Sequence, residues 1–444
     1  MQRLHLGEDV FSKGFWGQGY RRVAKGIVMQ KNLTAISLFS GAGGLDYGFE
    51  AAGFRTLVAT DFEPDACETL RRNGFQAVLE GDIHHIPTGR ILDAAGCDVG
   101  GYDVLIGGPP CQPFSKSGYW SSGESKRLSD PRAKTLDAYM RILEESLPRV
   151  FLLENVEGMN FAGKSEGFDF LLDRINGINR RRGTNYDPVC AVLTATDFGV
   201  PQQRVRFFMV ASREGARFQF PEPTHFEPGS ISEGPRYTTS WDAIGGIEPD
   251  SSEDLAVRGK WAALLPSIPE GSNYLYHTER GGGKPLFGWR RRFWSFLLKL
   301  AKNKPSWTIQ AQPGPAVGPF HWANRQLSQR EMCRLQTFPE RVRIFGSRRS
   351  VQKQLGNAVP SLLAEVLARE IATQFLDVGV ASGPSLAIRT RGDCPGPEAV
   401  ADVPERYLGL VGDHEAHPGT GMGYGAQRKK TGEAEHGEQL TLQL

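Results

Sequence analysis

From Leu33 onward, short apolar runs alternate with helical stretches. LTAISLF (33–39), RTLVATD (55–61), FQAVLEGD (75–82), YDVLIGG (102–108) and RVFLLEN (149–155) read as strands, each apolar and closed by glycine or polar residues. DPVCAVLTAT (187–196) and VRFFMVAS (205–212) supply two more. Between them LDYGFEAAG (45–53), PDACETLRRNG (64–74) and residues 134–147 have helical spacing. This alternation predicts an α/β fold with a largely parallel sheet.

The rhythm fails over 214–324, which is rich in Pro, Gly, Ser, Trp and Arg and predicts a second, irregular domain. GWRRRFWSFLLKLAKN (288–303) is its one strong helix candidate, with WSFLL expected in the core of that small domain. Helical texture resumes at SQREMCRLQTF (328–338) and PSLLAEVLAREIATQF (360–375). The expected division is therefore an extension without periodicity (1–32), an α/β unit (33–213), the irregular domain (214–324), a segment completing the α/β unit (325–378) and a Gly-, Pro- and charge-rich tail expected to be disordered (379–444).

Composition narrows the class only a little. The 444 residues are 39% hydrophobic and 23% charged, ordinary for a globular protein. No apolar run reaches the ~20 residues of a membrane span, and the N-terminus has no signal-peptide core, so a cytoplasmic protein is expected. The net charge of +2 neither requires nor excludes nucleic acid. The six cysteines are scattered without metal spacing, so neither a disulfide framework nor a metal site is expected.

If the strands are parallel, their polar ends share one edge, where open α/β sheets bind ligands. Gly41, Gly43 and Gly44 allow a tight turn and close backbone approach, and Asp61, 20 residues beyond Gly41, suits ribose hydroxyls. FSGAGG lacks the dinucleotide spacing, so a nucleoside ligand without a pyrophosphate fits better. Cys111 lies in GGPPCQPFS, where the prolines make a rigid loop at this edge. A cysteine so placed is a candidate nucleophile rather than an inert core thiol. Glu154 follows an apolar strand, and burial there would let its carboxyl carry a proton near neutrality.

These residues resemble the DNA (cytosine-5) methyltransferase family, in the family's motif order from about Leu33 to Phe375. FSGAGG with Leu45 is similar to its cofactor motif, PPCQPFS to its nucleophile motif, ENV (154–156) to its acid motif and QQRVR (202–206) to its two-arginine motif. RQLSQREMCRLQTFP (325–339) and QLGNAVP (354–360) resemble its closing motifs.

The resemblance implies a Rossmann-like, S-adenosylmethionine-dependent methyltransferase fold of bacterial restriction–modification type, with 214–324 as target-recognition domain. It implies methyl transfer to carbon 5 of a flipped cytosine in a specific double-stranded DNA sequence through a Cys111 adduct, with Glu154, Arg204 and Arg206 as the other catalytic residues. S-adenosylmethionine would be held by Phe39, Gly41, Gly43, Gly44, Leu45, Asp61, Phe62, Asp82, Ile83, Pro109, Asn357 and Val359. Asp61 replaces the Glu common in the family and shortens the reach to ribose. Gln112, Ser115, Ser117, Arg290 and Arg292 would touch DNA, and Lys116–Arg132 would form a lid. A monomer is expected, with a cognate restriction endonuclease as partner. The alternatives are an RNA cytosine-5 methyltransferase, against which the large 214–324 region speaks, and a non-catalytic DNA-binding relative, against which intact Cys111, Glu154 and both arginines speak. A cysteine hydrolase is disfavoured because no histidine sits in a matching motif.

Overall fold

The computed structural model describes residues 32–110, 134–156, 166–289, 294–379 and 383–414. The seven expected strands form one sheet: β1 (Leu33–Leu38), β2 (Phe54–Asp61), β3 (Val78–Glu80), β4 (Val104–Gly107), β5 (Val150–Val156), β6 (Val189–Thr194) and β7 (Val205–Ser212). Their order is β3-β2-β1-β4-β5-β7-β6. The pairs from β3 to β5 are parallel, whereas β7 runs antiparallel to both β5 and β6. The sheet is thus mixed, in the Rossmann-like arrangement of methyltransferases. The chain leaves β1 outward through β2 and β3 and returns to β4 on the other side, so the crevice between the ends of β1 and β4 is the topological switch point.

Strand alternation assigns the two faces. Leu105, Phe151, Leu153, Phe207 and Met209 point into one apolar cluster. Three helices cover it: α3 (Thr88–Ala95), α4 (Lys134–Ser146) and α5 (Glu166–Arg182). Val104, Ile106, Val150, Leu152, Phe208 and Val210 point to the opposite face. There they meet α1 (Gly44–Ala51) and α9 (Ser361–Phe375). A third cluster joins α2 (Pro64–Arg72) to α6 (Ser240–Ile244), α7 (Gln329–Leu335) and α8 (Arg348–Asn357). α3, α5 and α8 were not expected from periodicity: α5 and α8 are largely polar, and α3 spends one turn on its apolar side.

The irregular region has its own small core, including Leu264, Ile268, Tyr274, Phe296 and Phe320. The helix expected over 288–303 is not formed in its described parts, 288–289 and 294–303. Phe296 and Lys299 instead make isolated bridges to Val317 and Phe320, and Leu297 takes φ +52°. Phe296 and Leu297 belong to one core and Leu300 to another, a split that a single helix face does not serve. Residues 383–414 also differ from expectation. They run as an ordered strap that ends in α10 (Glu405–Leu408), with Tyr407 buried in the small core. Its partners are carboxylates and carbonyls supplied by distant elements, which composition does not register. No helix among the described residues is long and apolar enough to cross a membrane.

Candidate active site

Register brings the polar residues together. Glu154 stands opposite Phe208 in the β5–β7 pair, and Arg206 opposite Val156. Opposed residues share a face and side chains repeat every second position, so Glu154, Arg206 and Arg204 project to one side. The apolar row Val150–Leu152 therefore ends in a carboxylate under two guanidiniums. Arg206 Nε donates to Glu154 Oε1 at 2.8 Å. Arg204 is fully buried and gives Nη2 to the Gly356 carbonyl at 2.8 Å. Its Nε and Nη1 have no hydrogen-bond partner among the described residues.

Burial pushes the Glu154 carboxyl up from the ordinary range, and Arg206 and Arg204 pull it partly back. Burial, with repulsion from Arg206, lowers Arg204 well below its usual value, and burial lowers Arg206. An arginine keeps its charge under such pressure. Two buried cations over one carboxylate leave excess positive charge and unused donors, an arrangement that suits an electron-rich or anionic ligand.

On the parallel neighbour, Ile106 pairs with Leu152, which puts Gly108 beside Glu154. A Cβ on Gly108 would lie 2.6 Å from Glu154 Oε2. Asn155 Nδ2 donates to the Pro109 carbonyl at 3.1 Å and Thr135 Oγ1 to that of Pro110 at 3.1 Å. The backbone leading to Cys111 is thus pinned from two elements. Gly108 and Asn155 stand among the strand-end residues that sequence places at this edge, but neither they nor Gly356 had an individual role there; the signals were the glycine before PPC, the N of ENV and the G of QLGNAVP. Cys111, Gln112, Ser115, Ser117, Arg290, Arg292 and the stretch Lys116–Arg132 lie outside the described residues.

The second half of the crevice lies at the ends of β1 and β2. Phe39, Gly41 and Gly43 all take left-handed backbone, with φ of +56°, +54° and +86°. Asp61 accepts from the Gly41 amide at 2.8 Å and the Glu63 amide at 2.9 Å. Burial raises its carboxyl, and those amides oppose the rise. Asp61 therefore clamps the glycine loop while keeping further lone pairs. Phe62, the next residue, is 59% exposed, an apolar ring left on the crevice surface. Asp82 is exposed and held by the His84 amide and ring, whose hydrogen bonds lower its carboxyl; Ile83 is buried. Across the crevice, a Cβ on Gly44 would lie 2.3 Å from the Val359 carbonyl, so the QLGNAVP turn rests directly on α1. Leu45 and Val359 are buried, Pro109 is buried, and Asn357 is exposed at the end of α8. An exposed ring, a carboxylate with spare lone pairs and left-handed loop amides are groups able to stack on and hydrogen-bond a nucleoside.

The irregular region is stitched to this edge. Gln203 N donates to Ser306 O at 2.7 Å and Ser306 N to Pro201 O at 2.8 Å, a short parallel bridge beside the two arginines. Arg280 stacks on Trp289 at 4.5 Å, and Phe296, Leu297 and Leu298 are core.

Residues 33–373 match the family described as C-5 cytosine-specific DNA methylase. The chain is 41% identical over 392 residues to type II methyltransferase M.SacI of Streptomyces achromogenes, covering 81% of this chain and 98% of that protein. It is 34% identical over 351 residues to M.NgoFVII of Neisseria gonorrhoeae, covering 77% and 87% respectively. Among solved structures, a prophage-encoded E. coli protein described as a DNA modification methyltransferase superposes with TM-score 0.55 at 23% identity, covering 78% of this chain and all (100%) of that one. Spodoptera frugiperda DNMT2 does so with TM-score 0.54 at 17% identity, covering 77% and 99%.

Proposed function

Because the chain belongs to the C-5 cytosine-specific DNA methylase family, we propose that it acts on a cytosine extruded from duplex DNA, with Cys111 as nucleophile and S-adenosylmethionine as methyl donor. It is a DNA (cytosine-5) methyltransferase of the type II restriction–modification kind. The observation that carries the finer reading is the Glu154–Arg206–Arg204 cluster packed against Gly108, three residues before Cys111.

Carbon 5 of cytosine is a weak nucleophile. Thiolate addition at carbon 6 makes an enamine whose carbon 5 can take the methyl group; loss of the carbon 5 proton then expels the thiolate and restores the ring. Negative charge develops on the ring during the addition. A buried Glu154 with a raised pKa can hold a proton at ring nitrogen 3, and Arg206 keeps that carboxyl in place. The unused donors of Arg204 suit the base carbonyl or an adjacent phosphate. S-adenosylmethionine supplies an electrophilic methyl group on a sulfonium. Phe62 would stack on its adenine and Asp61 would take a ribose hydroxyl. The Gly41–Gly44 loop, with Phe39 and Leu45, would line one wall; Asp82, Ile83 and Pro109 would lie along the base and amino-acid ends, and Asn357 and Val359 would close the other wall.

A base inside a duplex cannot offer carbon 6, so it must be extruded at a cost of a few kcal/mol. Region 214–324 is taken to read the surrounding sequence, with Arg290 and Arg292, Gln112, Ser115 and Ser117 as DNA contacts. The chain is taken to act as a monomer.

The test is a duplex carrying 5-fluorocytosine at the target, incubated with enzyme and donor. A covalent complex stable to denaturation is expected with the natural chain and none with Cys111→Ala, while Cys111→Ala still binds DNA. Adduct formation by Cys111→Ala would refute the nucleophile assignment.

A further inference from the structure

The family match ends at residue 373, before the strap of 383–414 begins. The strap is anchored first on the sheet side. Glu365 in α9 is fully buried, and its two carboxylate oxygens accept the amides of Ser385 at 2.6 Å and Leu386 at 2.8 Å. The chain then passes α6, where the Arg391 amide donates to Asp242 Oδ1 at 2.7 Å. It enters the irregular region at Lys302, whose Nζ bonds Glu270 Oε1 and Glu398 Oε1, both at 2.7 Å, and the Gly396 carbonyl at 3.1 Å. The Glu398 amide bonds Glu270 as well, at 2.8 Å, and the Ala401 amide bonds Pro266 O at 3.0 Å. Finally Tyr407 stacks on Trp261, with ring centroids 5.7 Å apart and planes 18° apart, and gives its hydroxyl to Lys260 O at 2.7 Å.

One peptide segment thus starts on the main helix of the sheet layer and ends inside the core of the irregular region. That core is completed by Tyr407, which follows the rest of it in sequence by more than 80 residues. Several anchors are buried carboxylates whose oxygens accept strap amides, so releasing the strap removes hydrogen bonds at several places at once. We infer that residues 383–414 are a positioning strap that holds the irregular region in register with the Glu154–Arg206 crevice, so that affinity for the DNA target depends on it while the chemical step does not. This rests on the reading above that 214–324 recognises DNA.

A strap that only added stability would change how readily the protein melts. A positioning strap changes the KM for DNA and leaves turnover at saturating DNA alone, because pre-set orientation is uniform binding rather than transition-state binding. The experiment uses the full chain and the duplex target mapped by bisulfite sequencing, with Tyr407→Ala and Glu398→Ala measured beside the natural protein. KM for DNA is expected to rise ~10-fold in Tyr407→Ala and ~3-fold in Glu398→Ala, with kcat held within ~2-fold and donor binding unchanged. Glu398 is half-exposed and its loss leaves Lys302 paired with Glu270, so that variant folds even if Tyr407→Ala does not. Folded Glu398→Ala with an unmoved KM overturns the proposal, as does a fall in kcat equal to the rise in KM. A natural chain that methylates no duplex would instead fail the parent reading, and this one with it.

Discussion

At the scale of single residues, burial decides which ionisable groups matter. Burial raises the Glu154 carboxyl above the ordinary carboxylate range against the pull of Arg206 and Arg204, a shift that favours the protonated acid. Glu154→Gln keeps the shape and cannot deliver the proton. Turnover should fall by ~10²-fold or more while DNA affinity changes by less than tenfold, as steady-state rates and filter binding would measure; equal losses would argue against the acid role. Asp46 is a buried carboxyl of another sort. Desolvation raises it to about 7, with one oxygen meeting the Thr56 hydroxyl at 3.4 Å and the other without a partner among the described residues. A folded pKa above the unfolded one means that the native state binds the extra proton. Stability is then highest below the unfolded value of 3.8, declines as pH rises toward about 7, and levels off beyond. The full loss is on the order of 4 kcal/mol. Asp46→Asn should stabilise the protein at pH 8, have little effect at pH 4, and flatten the slope between, as urea midpoints across that range would record.

At the scale of elements, the site is a product of strand register. Gly108 continues β4 past its last pairing residue, and the absence of a Cβ there gives Glu154 its place. Gly108→Ala would set a methyl 2.6 Å from Glu154 Oε2. The carboxyl must rotate away from Arg206, so kcat should drop at least ~10-fold with donor affinity retained, read by stopped turnover and equilibrium dialysis. The elements themselves were legible to different degrees. The inner strands were visible as apolar runs buried on both faces, and the edge strands β3 and β6 as shorter, partly exposed apolar runs bounded by polar residues. The antiparallel insertion of β7 was not visible, since nothing in VRFFMVAS states which neighbour it will pair with. The 288–303 run carried an apolar pattern but no helix, because its leucines are divided between two cores.

At the scale of the molecule, two apolar cores meet at a polar seam, and Lys302 stands in it with 4% of its side chain exposed. Lys302→Ala would leave Glu270 buried without its cation, and a broken buried pair costs ~3–5 kcal/mol. A lowered denaturation midpoint together with weakened DNA binding is expected; a midpoint within experimental error of the natural protein would contradict the seam's role. The sequence by itself determined the layered α/β scaffold, the order of motifs and which functional groups FSGAGG, ENV and QQRVR carry to the sheet edge, because these depend on local periodicity and on residue type. Only tertiary structure decided that Arg204 turns two donors into a buried space, that Asp61 spends lone pairs on the glycine loop, and that a polar tail becomes a strap. Those outcomes depend on partners tens to hundreds of residues away, whose contribution to free energy exists only once the chain has brought them together.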